Sequence, residues 1–182
     1  MNDFDFFGEM LFEEAKYYLE IAQGKEVADG EKTAALHASL LLAMSALEAY
    51  INSVAGELVA AFELDIYEKS ILAEKNIELN KGIVNLGNGL KMYRLIDRIA
   101  LIYSKYSKKE IDDSVTWYME IKQTIDLRNN LVHPKDMVRV TCRQVEKALW
   151  SVLNTVNEIF LVVYGKKVPI YNYGIQAVKL GE

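Results

Sequence analysis

AALHASLLLAMSALEAYINSVAGELVAAF, residues 34–62, is the most apolar run of the chain. Leu36, Leu40, Leu47, Val54 and Leu58 recur in it at helical spacing. His37, Ser39, Ser45, Glu48, Asn52 and Glu57 interrupt it with more polar groups than a helix surrounded by lipid tolerates. The spacing therefore predicts one long core helix over about residues 31–63, with Asp29 nearby as a start signal, and no membrane span.

Helical periodicity dominates on both sides of this run, and no stretch before the tail shows sustained strand alternation. A first helix is expected over about residues 4–23, with Gly24 suited to its C-terminal cap. Asp65 and Glu68 resemble a capping pair for a short third helix. The segment NKGIVNLGNG, residues 80–89, is rich in turn formers and reads as a loop, followed by a helix over about residues 90–103. SKKE (107–110) and TCRQ (141–144) have the form of capping boxes, each opening a further helix. Beyond Gly165, the lysines 166 and 167 and Pro169 block continuation. The expected architecture is all-α: an antiparallel up-and-down bundle over residues 1–165, with a short extended tail over 166–182.

A chain of 182 residues with 51% hydrophobic residues, ten glycines and two prolines fits one domain with a substantial core. The single cysteine, Cys142, excludes an internal disulfide framework and offers no zinc-binding spacing. With an acidic N-terminus lacking a signal-peptide layout, this favours a soluble, cytoplasmic protein. A formal charge of −5 argues against a general nucleic-acid coat. The charge is uneven, however. Residues 122–147 carry Lys122, Arg128, Lys135, Arg139, Arg143 and Lys147 against Asp126, Asp136 and Glu146. Such a region suits either a local polyanion footprint or a solvated helix face.

Within that region lies TIDLRNNLVHPKD, residues 124–136. In a helix opened by Ser107, the positions Ile111, Tyr118, Ile125 and Val132 recur every seven residues, with Ser114, Ile121 and Arg128 as companions. Arg128 then occupies an inward position. A guanidinium keeps its proton, so it must meet an anion, a cluster of carbonyls or a wet cleft. Pro134 ends the helix near residues 130–132 and leaves His133 at the terminus, freer to turn away from the helix axis. Two readings stay open on the residues alone. Arg128 neutralises the helix end or an internal carboxylate while His133 caps carbonyls, or the two act together on a substrate.

LRNNLVH resembles the signature of HEPN domains, an arginine and a histidine separated by four to six residues with a polar residue after the arginine. Arg128, Asn129 and His133 satisfy it with four intervening residues. SLLLAMSALEAYIN, residues 39–52, looks like the long second helix of several prokaryotic HEPN branches. The resemblance implies a helical bundle, homodimerisation with two motif copies facing across a cleft, and metal-independent endoribonuclease activity, often in toxin–antitoxin or phage-defence settings. It also implies RNA as substrate, a protein antitoxin as a partner, and no cofactor. One branch carries tyrosine two residues after the histidine; here that position is Lys135, so regulation through that tyrosine does not carry over. Other members bind nucleotide, RNA or protein without catalysis.

On that resemblance Arg128 and His133 are the candidate catalytic pair, and Asn129, Asn130 and Lys135 the candidate substrate contacts. Met44, Glu48 and Ile51 share one face of the long helix. Glu48 is a candidate to hold Arg128 or orient His133 from behind; a solvated helix edge is the alternative. His37, the other histidine, reads as packed or surface-exposed, and nothing supplies a metal triad. Tyr17, Tyr18, Trp117, Tyr118 and Trp150 are assigned to core or dimer packing.

Overall fold

The computed structural model describes residues 3–61 and 63–177. Its first two helices, α1 (Asp3–Gln23) and α2 (Asp29–Ala61), are joined by residues 24–28 and pack along each other. A connection that short forces neighbouring helices to run antiparallel. Gly8 permits their close approach, since a Cβ there would meet the Tyr50 ring at 3.1 Å. Along α2, Leu40, Leu47 and Ile51 are fully buried. By length and composition this helix could cross a membrane, yet 61% of its most apolar window is buried inside the protein. It is the bundle's central element, touching all five of the other helices.

Asp65 caps α3 (Ile66–Ala73) as its spacing predicts: its carboxylate accepts from Tyr67 N and Glu68 N, while Glu68 accepts from Asp65 N. Glu74 then turns left-handed at φ 51° and ends the helix.

The segment expected as a loop is instead part of a β-hairpin, β1 (Lys75–Asn80) and β2 (Ile83–Leu90). Lys81 and Gly82 make its two-residue turn with φ 52° and 83°, the pair of positive angles that matches the twist of antiparallel strands. Ile77 pairs with Leu86 and Leu79 with Val84, so these four side chains share one face. Their alternation is hidden because Ile83 and Val84 are adjacent apolar residues and Asn80, Gly82, Gly87 and Gly89 surround them. Leu79 and Val84 are exposed, so the pattern does not report a buried face.

Helix α4 spans Leu95–Ser107, starting five residues later than expected. SKKE does not open the next helix. Ser107 is the last residue of α4, Lys108 is left-handed at φ 55°, and Ser107 Oγ accepts from Lys109 N at 3.2 Å. The following helix, α5 (Thr116–Val132), begins after Val115, so Ile111 and Ser114 lie in the connection and not on its stripe. The stripe survives from Ile121, fully buried, to Arg128, two turns on. TCRQ does open a helix: Thr141 and Gln144 form the reciprocal box of α6 (Cys142–Tyr164), which ends at Gly165 with φ 67°.

The tail is not extended throughout. Pro169–Tyr173 form a 3-10 helix, and Val168 and Ile170 are buried in the core. Two apolar anchors at alternate positions fix it to the bundle. Trp117 packs against both Tyr103 and Tyr118, but Tyr17, Tyr18 and Trp150 are exposed and take no place in the core. The described chain is thus a mostly helical bundle of six α-helices carrying one hairpin.

Candidate functional site in the groove between α2, α4 and α5

Arg128 reaches across from α5 to α2, where its Nη2 donates to Glu48 Oε1 at 2.9 Å. The pair is neither sealed nor free, with side chains 25% and 46% exposed. Glu48 therefore holds Arg128 and lies at a solvated edge at once. Both residues line an open groove of about 300 Å³, together with Asn52 of α2 and Ile125, Asp126 and Asn129 of α5.

The opposite wall comes from the start of α4 and the residues before it, among them Tyr93, Arg94 and Leu95. Arg98, one turn into α4, is buried there: Nη1 donates to Glu74 Oε2 at 3.1 Å and Nη2 to Leu72 O at 3.0 Å. Burial lowers the Arg98 pKa, while the Glu74 and Glu48 carboxylates oppose that shift. Glu48 thus acts electrostatically on Arg98 as well as on Arg128. Glu74 also accepts from Tyr93 N at 3.4 Å, and Lys91 N donates to Glu74 O at 2.9 Å. The Arg98–Glu74 pair consequently pins the base of the hairpin to the groove wall. The Tyr93 hydroxyl shares a 2.7 Å hydrogen bond with Ser70 Oγ.

His133 occupies the C-cap of α5, at φ −124° and ψ 61°, and its N–H donates to Asn129 O at 2.8 Å. The break before Pro134 takes place where that residue pair predicts. His133 and Lys135 are exposed, and neither is among the residues that line the groove with Arg128. Asn129 and Asn130 are exposed too, but they face different ways. Asn129 lines the Arg128 groove, whereas Asn130 lines a separate depression between α5 and α6.

No family model, curated protein or solved structure matches this chain. The structure brings Arg128, Asn129 and Glu48 together and leaves His133, Asn130 and Lys135 outside that groove.

Arg98, Glu74 and Arg94 are charged groove residues that the sequence does not announce. Glu74 and Arg98 are 24 positions apart, on either side of the hairpin, so no local spacing announces their pair. The basic region past the motif is a mixture. Lys122 is paired with Asp113 at 3.0 Å and Lys147 donates to Gln123, while Lys135, Arg139 and Arg143 are exposed. His37 is half-buried, and its Nε2 has no hydrogen-bond partner among the described residues.

Proposed function

We propose that the chain is an endoribonuclease of the HEPN type, a cytoplasmic toxin or phage-defence effector that acts as a homodimer and is neutralised by a protein antitoxin. The observation that carries this reading is the placement of Arg128. It is held by one carboxylate, it lines an open groove, and it stands five residues before an exposed histidine at the end of the same helix.

RNA supplies its own nucleophile, so the reaction requires no metal-activated water. A base takes the proton of the ribose 2′-hydroxyl, the 2′-oxygen bonds to phosphorus, and the bond from phosphorus to the 5′-oxygen breaks. A proton is delivered to that leaving oxygen. The products are a 2′,3′-cyclic phosphate and a 5′-hydroxyl. Imidazole is the side chain that exchanges protons near neutral pH, and His133 takes that role. With two copies of His133 facing one cleft, one serves as base and the other as acid. The forked guanidinium of Arg128 stabilises the charge that develops on the phosphorane oxygens. Asn129 orients the strand from the groove wall, and Asn130 and Lys135 contact it outside the groove.

Because five residues of ideal helix separate two side chains by about 140°, Arg128 and His133 of one chain point apart unless the helix end redirects the histidine. The homodimer answers this, since a second chain brings its own His133 to the first chain's Arg128. The test is RNA cleavage in the presence of chelator by the wild type, Arg128→Ala and His133→Ala. Cleavage by the wild type alone, with all three folded, supports the reading.

A binding module without catalysis is the second reading, favoured by the absence of His133 from the groove lining. Salt-sensitive RNA binding without cleavage would select it.

A further inference from the structure

Helix α4 begins in the same groove without a side-chain cap. Arg94 occupies its N-cap with φ −64° and ψ 131°, and makes no side-chain hydrogen bond to the first turn. The Asp97 and Arg98 amides return to Arg94 O. The N–H groups of Leu95 and Ile96, the first two helical residues, are those the helix itself leaves unpaired, and both residues line the groove. Beside them lies Arg98, 4% exposed, whose buried Nε has no hydrogen-bond partner among the described residues. At the mouth stands Arg94, 77% exposed and only loosely paired with Asp97 at 3.9 Å.

Three guanidinium groups on two helices and the positive end of a helix dipole therefore converge on one concavity. We infer that the α4 N-terminus, with Arg94 and Arg98, is a phosphate-binding subsite that takes a nucleotide phosphate next to the one engaged by Arg128. Leu95 N and Ile96 N donate to its oxygens, Arg94 closes over it, and Arg98 presents charge from below. The inference rests on the ribonuclease reading only for the neighbouring phosphate at Arg128; the subsite itself stands on the α4 geometry.

The groove also holds Glu48, Glu74 and Asp126, so its formal charges balance. Attraction by net charge is thus not what fills it. Directed donors must do so, and affinity depends on the two amides as much as on the arginines. At about 300 Å³ the open groove is of a size to seat one nucleotide unit of a strand at a time.

Leu95→Pro tests the amide directly. Proline is well tolerated at the first helical position, and Arg94 already has the extended geometry that a following proline requires, so one donor is deleted while the helix is kept. Arg94→Ala, at an exposed position, supplies an independent second variant. Backbone amide shifts of the full chain are followed during titration with adenosine 5′-monophosphate, with adenosine, and with a 2′-deoxy oligonucleotide that cannot be cleaved. The expected result is a saturable shift of the Leu95 and Ile96 amides with the phosphate-bearing probes and none with adenosine. Each variant should weaken binding by about fivefold. A shift with the oligonucleotide alone assigns the subsite to strand phosphodiesters; a shift with the mononucleotide as well assigns it to nucleotide phosphate in general.

RNA cleavage with unchanged KM in both variants, and no phosphate-dependent shift at these amides, overturns the subsite and leaves the nuclease reading standing. Phosphate-dependent shifts in a protein that cleaves no RNA do the reverse. Neither shifts nor cleavage would remove both.

Discussion

Glu48 and Arg128 stand 80 residues apart in sequence and meet at 2.9 Å across the groove between α2 and α5. The pair is partly exposed, so solvent screens it, and its contribution to stability is about 1 kcal/mol or less. Its larger effect is on where the guanidinium points. Glu48→Gln should therefore leave the urea midpoint nearly unchanged and lower RNA cleavage by roughly tenfold through loss of Arg128 alignment. A fall in stability that accounts for all of the lost activity would show that the carboxylate only holds the bundle together.

Removing Arg128 itself should cost more. Arg128→Ala is expected to reduce kcat for RNA cleavage by about 10²–10³-fold, the range for deleting one donor to a developing oxyanion. Circular dichroism should show an unchanged helical content. An unaltered kcat with a raised KM would instead make Arg128 a binding group.

The Arg98–Glu74 pair behaves differently, because Arg98 is buried. Glu74→Ala leaves that guanidinium without its carboxylate, and the expected loss is about 3–5 kcal/mol in urea unfolding. The double variant Arg98→Met with Glu74→Gln should be milder than Glu74→Ala alone, since no buried charge then lacks a partner. The opposite order would mean that the pair does not carry an uncompensated desolvation cost.

At the hairpin turn, Lys81 adopts φ 52° before Gly82 at φ 83°. Asparagine accepts that left-handed position more readily than lysine does. Lys81→Asn should raise stability by roughly 0.5 kcal/mol, read as an upward shift in Tm, while Gly82→Ala should lower it. A destabilised Lys81→Asn would contradict the assigned turn.

The two sequences that look alike as capping boxes should separate on mutation. Thr141→Ala is expected to cost about 1 kcal/mol, because Thr141 accepts from Gln144 N at the start of α6. Ser107→Ala is expected to cost less than about 0.5 kcal/mol, because Ser107 sits at the end of α4. Equal losses in chemical denaturation would restore the helix start at Ser107.

These residues also show what the sequence made legible. Asp65 and Thr141 were readable because a cap is made within four residues. Ser107 has the same letters, but Lys108 turns left-handed and the box is never closed. The hairpin was hidden for another reason: Leu79 and Val84 lie on one face of it, yet they face solvent, and the adjacent pair Ile83 and Val84 breaks the alternation. In the groove, the inward position of Arg128 followed from its distance to Ile121, which survived the shortened helix. Arg98 could not be found in that way, because its partner lies across the hairpin and nothing in the intervening spacing links them. The exposure of His133 follows from Pro134, but its direction relative to Arg128 depends on chain geometry after the break.

On the proposed mechanism, Arg128 and His133 cleave RNA through the ribose 2′-hydroxyl. The most direct measurement is the chemistry of the ends produced when the wild-type protein is incubated with a labelled RNA in chelator. The expected ends are 2′,3′-cyclic phosphate and 5′-hydroxyl, absent with either alanine variant. Intact RNA, or fragments ending in 3′-hydroxyl and 5′-phosphate, would contradict it.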